Sequence, residues 1–135
     1  MALGRALGVL VLCQGLALPV WATDTLDCEA PQGADGGPAG ISLLLGASPV
    51  LAVVRAALTV GDKTWSTAED ATNRLSVGQA FRDGERLLID LIDPESLESV
   101  AAIRLYEVSE RDMAVVAGIL KVAGKGAWAL TCIGP

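Results

Sequence analysis

The chain has 135 residues, 52% of them apolar, with 10 basic and 16 acidic side chains, three Cys, no His and a net charge of −6. That length suits one hydrophobic core. An acid excess repels phosphate backbones and anionic lipid surfaces, which bind mainly through Lys and Arg, so nucleic acid is ruled out as a partner class.

The N-terminus carries Arg5, then an apolar run over residues 6–18, then Pro19-Val20-Trp21-Ala22 before a polar Thr23-Asp24. A positive start, a short hydrophobic stretch and small residues before a polar boundary predict an export signal over residues 1–22, cleaved after Ala22. The run falls well short of the roughly 20 residues that span a bilayer, so no transmembrane segment is expected after processing. Leu12 precedes Cys13 where lipid attachment would want a small residue, so the reading is an exported protein, periplasmic or extracellular, without a lipid anchor.

Residues 23–135 form the expected single β domain. Arg5 is the only charge in the signal, so this part holds nine basic and sixteen acidic residues, a net charge of −7. It keeps two thiols, Cys28 and Cys132. In an exported chain these predict one disulfide tying the two ends together.

Residues 29–40 include Pro31, Gly33, Gly36, Gly37 and Pro38, a composition that predicts a flexible loop. Residues 41–45 then read as a buried strand. Residues 48–60 fit two templates. Ser48-Pro49 could open a helix, whereas the alternation through Val60 and the Gly61-Asp62 pair leading into Lys63-Thr64-Trp65 make a hairpin, and strand is the preferred reading. Thr67 and Glu69 open a segment with the signature of one short helix to Arg74.

Beyond it, Asp83-Gly84 is expected to turn a hairpin between 77–82 and 85–92, with Ala80 opposite Leu87 and Phe81 opposite Arg86. Asp93-Pro94 breaks the chain with a capped turn. Strands over 100–109, 113–123 and 127–133 follow through short polar connections, which force antiparallel neighbours. The fold class is therefore all-β, admitting one or two short helices: a small antiparallel meander forming a sandwich or barrel, closed by one disulfide.

Two strands are apolar at odd and even positions alike, Leu87 to Ile92 and Met113 to Leu120. A half-solvated sheet should alternate. Either the front segment covers the second face, or these strands expose an apolar patch to a partner, a second subunit or a lipophilic ligand.

Chemistry is sparse. Without His or a spare thiol the part lacks the commonest general base and soft nucleophile, and no phosphate loop or nucleophile elbow appears. Zinc, copper and haem sites lack their usual ligands. Asp90, Asp93, Glu95 and Glu98 match no calcium-loop spacing and read as a strand residue and a solvated turn. Trp128 is expected in the core, while Trp65, running into a polar loop, is the better candidate for contact with a partner.

No catalytic residue, metal or cofactor is assigned. The candidate interaction surface comprises Trp65, Thr67, Glu69, Leu88 and Ile92. In size, acidity and end-to-end stapling the layout is similar to that of the small periplasmic lysozyme inhibitors, but their Ser-Gly-x-x-Tyr-like loop has no counterpart around Tyr106, which reads Ile103-Arg-Leu-Tyr-Glu-Val108. The leading expectation is a non-enzymatic binding or accessory module of the cell envelope whose partner is a protein, a basic one being favoured by the charge. The alternatives are a self-associating structural protein, a homo-oligomer, and more remotely a carboxylate-based hydrolase or an apolar-ligand carrier.

Overall fold

The computed structural model describes residues 23–47 and 49–134. The export signal over 1–22, with Cys13 and the Ala22 boundary, lies outside the described residues, as does Ser48. Nine strands make one antiparallel sheet: β1 (Thr23–Glu29), β2 (Ala39–Gly46), β3 (Ala52–Val60), β4 (Lys63–Ser66), β5 (Ser76–Asp83), β6 (Arg86–Ile92), β7 (Ser99–Glu110), β8 (Met113–Val122) and β9 (Gly126–Ile133). Their order in space is β4-β3-β2-β1-β9-β8-β7-β6-β5. Two meanders, β1–β4 and β5–β9, thus meet edge to edge at β1 and β9.

The sheet curls into a half-barrel around its apolar face. Alternation explains which side chains turn inward: Leu26 and Cys28, Ile41 and Leu43, Ala56 and Leu58, Leu87 to Leu91 at odd positions, Ala101 to Leu105 likewise, Leu120, Trp128 and Leu130 are all buried. No charged or polar residue joins this core among the described residues. Leu75, in the connector between β4 and β5, is also buried and belongs to the same core.

Cys28 and Cys132 face one another across the seam, joined by a disulfide that spans a sequence separation of 104. The β1–β9 ladder is only three residue pairs long, Asp27 with Ile133, Cys28 with Cys132 and Glu29 with Thr131. The disulfide is therefore the covalent weld of the two meanders at the point where backbone pairing is shortest.

Residues 52–60 are strand, and Gly61-Asp62 turns the hairpin as expected, with Val60 opposite Lys63. Residues 67–74 are not a helix. Thr67 is drawn to β3 instead, its Oγ1 accepting from Ala56 N at 2.9 Å and donating to Ala56 O at 3.4 Å, and Leu75 N donates to Ser66 O. Tertiary hydrogen bonds outweigh a weak local propensity over so short a segment. Strand β1 was not expected from its polar sequence; only Leu26 and Cys28 are buried in it. The loop between β1 and β2 is shorter than its composition suggests, covering 30–38, and Trp128 Nε1 donates to Asp35 O across it.

The β5–β6 register also differs from expectation. Asp83 pairs with Arg86, Phe81 with Leu88 and Ala80 with Ile89. Gly84 takes φ 58° at the first of two turn positions, so the turn is Gly84-Glu85 rather than Asp83-Gly84. From Gln79 to Asp83 the pairing is offset by two residues, which leaves those side chains on the face expected of them, before a bulge between Val77 and Gln79 shifts the register. At the end of β6, Asp93 accepts from Glu95 N and Ser96 N at 2.8 and 2.9 Å, the capped turn that Pro94 announces.

Candidate interaction surface

The outer face of the sheet can be read strand by strand from its register. One row runs Arg86, Tyr106, Ala117, Thr131, Glu29, Gly40, Thr59, Thr64 from one end of the sheet toward the other. Across the β9–β1 seam it passes from Arg86, Tyr106, Ala117 and Thr131 to Glu29 and small residues. A neighbouring row sharpens the change. Phe81, Leu88, Arg104, Ile119 and Ala129 lie together on β5–β9, and Val108 faces Val115; Asp27, Ser42, Ala57 and Ser66 lie together on β1–β4.

On the β5–β9 half the apolar side chains stand in solvent, with Tyr106 53%, Ile119 54%, Val115 62% and Met113 71% exposed. The expectation that the front segment covers this face is not met, because the front strands extend the sheet sideways instead of folding over it. Hairpin β7–β8 also outruns its neighbours. The β6 ladder stops at Tyr106 and the β9 ladder at Val116, so the last residues of the hairpin carry their apolar side chains beyond the rest of the sheet.

Charges on the two halves are handled differently. All three ion pairs among the described residues belong to β5–β9: Arg82 with Glu107 at 2.8 Å, Arg86 with Asp83, and Arg104 with Asp90 at 2.8 Å. The Asp83 carboxylate, hydrogen-bonded to the Arg86 guanidinium, holds that group's pKa above its ordinary value. Arg104 Nη1 directs hydrogen bonds to the carbonyls of Ile89 and Ile103, so its contact with Asp90 is an ion pair without an aligned hydrogen bond. Asp90 is thus tied into the sheet, and Asp93 into its turn, where backbone donors from Ser96 and Glu95 hold its carboxyl below the usual pKa.

On β1–β4 the outer acids Asp27 and Glu29 enter no ion pair among the described residues. Asp27 Oδ1 accepts from Ser42 Oγ at 2.5 Å. Both acids border an open groove of about 860 Å³ lined also by Pro31, Gln32, Ser42 and Thr59, and none of its lining residues is basic.

No protein-family model, curated protein or solved structure matches this chain. The surface must be judged on its own chemistry.

The residues singled out in the sequence fall in three places. Trp65 is 9% exposed, packed in the core with Lys63 Nζ 4.7 Å from its ring centroid, so its ring is not offered to a partner. Thr67 is spent on the Ala56 backbone, while Glu69 is exposed in the connector. Leu88 lies on the outer apolar rows, and Ile92, at the far end of β6 opposite Ser76 and Ser99, stands apart from them. The structure therefore gathers Leu88 with Phe81, Tyr106, Val115 and Ile119, which sequence reasoning did not single out. The doubly apolar run from Met113 to Leu120 held the signal for Val115 and Ile119; Tyr106 and Phe81 gave none, because one aromatic in an alternating strand looks like core. Asp27 and Glu29 were hidden by the failure to see β1 as a strand.

Proposed function

We propose that the chain is an exported, non-enzymatic binding or accessory module of the cell envelope that receives a basic protein partner on the outer face of β1–β4. The observation that carries this reading is the pair Asp27 and Glu29 beside a groove without a basic lining residue. A net charge of −7 on residues 23–135 would speed the approach of a basic partner, and exposed carboxylates without intramolecular cations leave their charge available for it. An inhibitor of a basic enzyme is one form of such a module.

The test is capture of proteins from envelope extract by the immobilised chain at about 50 mM and about 500 mM salt, where the screening length falls from roughly 14 to 4 Å. A basic protein held at low salt, released at high salt and lost from an Asp27→Asn, Glu29→Gln variant supports the reading. Capture that ignores both salt and these substitutions contradicts it.

A further inference from the structure

We infer that the β1–β9 seam is a redox-sensitive joint: a dithiol reductant that attacks Cys132 opens the sheet between its two meanders, and reoxidation closes it. Three observations meet at this place. The seam is the only ladder between the meanders, and with three residue pairs it is the shortest in the sheet among the described residues. The strands on either side are held better on their far sides, β1 by seven pairs to β2 and β9 by seven pairs to β8. The disulfide crosses at the middle pair of the three, so bond and backbone pairing hold the same joint.

The two sulfurs are not equivalent. Cys28 is 1% exposed, in the inner row with Ile41 and Leu58, whereas Cys132 is half-buried and its neighbour in that row on β8 is the half-buried Val116. A thiolate arriving from solvent therefore meets Cys132 Sγ. It bonds to that sulfur as the disulfide breaks, and Cys28 leaves with the electron pair and takes up a proton, because its apolar surroundings favour the thiol. The second thiolate of the reductant then attacks the mixed disulfide, releases Cys132 to be protonated in turn, and departs as a disulfide. Two electrons and two protons pass from the dithiol to the cysteine pair.

With the bond gone, three residue pairs hold the seam alone, and so short a ladder is marginal in water. The hydrogen bond from Trp128 Nε1 to Asp35 O crosses the same joint, from β9 to the loop between β1 and β2, and opens with it. Strand β1 stays on β2 and β9 on β8, each exposing one backbone edge. Cys28 and Cys132 remain on their own meanders, in place to reclose the bond.

The experiment is hydrogen exchange of the chain as the cell makes it, with and without dithiothreitol, once mass spectrometry shows both cysteines as thiols. Reduction is expected to abolish the protection of residues 27–29 and 131–133, while the β2–β3 and β6–β7 ladders stay protected and the circular dichroism of the sheet persists. Reoxidation should restore the seam. A Cys28→Ser, Cys132→Ser variant should show the open seam without dithiothreitol and ignore its addition. Brief exposure to glutathione, quenched in acid, should leave the adduct on Cys132. A seam that stays protected after reduction, a loss of protection in all strands together, or an adduct on Cys28 overturns the inference. Capture of a basic partner through Asp27 and Glu29 is read in a separate assay with the disulfide intact, so the two proposals fail separately.

Discussion

The two halves of this sheet share one interior and differ on the outside. Within the curl, β1–β4 contributes Cys28, Ile41, Leu58 and Trp65 in a single row, and β5–β9 contributes Leu87, Ile89, Ile103 and Leu120 to the same core. Outside, the rows of β1–β4 beside the seam show Asp27, Glu29 and small hydroxyls without ion pairs, with Leu44 and Arg55 in the next row, whereas β5–β9 shows large exposed apolar side chains beside the Arg86–Asp83 and Arg104–Asp90 ion pairs. Folding needs only the inner face, because burial there supplies the hydrophobic driving force. The outer contrast serves no packing purpose within the chain.

The largest expected effect concerns the weld between the halves. Replacing both Cys28 and Cys132 with Ser frees a closed loop of about 100 residues, worth about 4 to 5 kcal/mol on the chain-entropy model. Urea unfolding should show a loss of that order, with the three-pair β1–β9 ladder left to hold the seam. A loss under about 1 kcal/mol would mean that the halves need no weld.

Next comes the contrast between faces. Ile103→Ala removes a fully buried side chain from β7 and should cost about 3 kcal/mol, whereas Ile119→Ala, on the outer face of the adjacent strand, should change the stability of the dilute chain by less than about 1 kcal/mol. Equal losses at the two positions would show that the outer face is covered by the chain itself.

A smaller effect is expected where the first loop meets the interior. Trp128→Phe keeps a ring in the core but leaves the Asp35 carbonyl without its donor, which should cost about 1 to 2 kcal/mol in the same unfolding experiment. The smallest is a matter of pH. The Asp93 carboxyl is held below its ordinary pKa of 3.8, so the ionised form favours the folded state. Its contribution is present above pH about 3.8 and is lost as pH falls through the lowered folded value. Stability curves of the parent chain and Asp93→Asn should differ at neutral pH and converge as the solution is acidified; a gap that does not narrow in acid would place the effect elsewhere.

Much of this architecture was legible in the chain. Alternation and short polar turns gave the antiparallel meander from β5 to β9, and the Cys count gave the disulfide. The β5–β6 register slipped at a local turn; three further features escaped because the deciding interaction is between residues apart in sequence. Strand β1 has too few apolar residues to signal itself and is held by ladders to β2 and β9. Thr67 looks like a helix cap until β3 supplies the Ala56 backbone for it. Trp65 looks like a loop residue until the curl closes over it. The outer surface was half legible: the doubly apolar strands announced that a second face wanted cover, but only the strand order shows that the front half does not supply it.

Whether the β5–β9 outer face is bare on one copy can be measured directly by hydroxyl-radical footprinting at high dilution. Met113 and Tyr106 on that face should oxidise rapidly while Trp65 and Trp128 in the interior stay protected. Protection of Met113 and Tyr106 equal to that of Trp65 and Trp128 would contradict the division of the sheet into a covered inner face and a bare outer face.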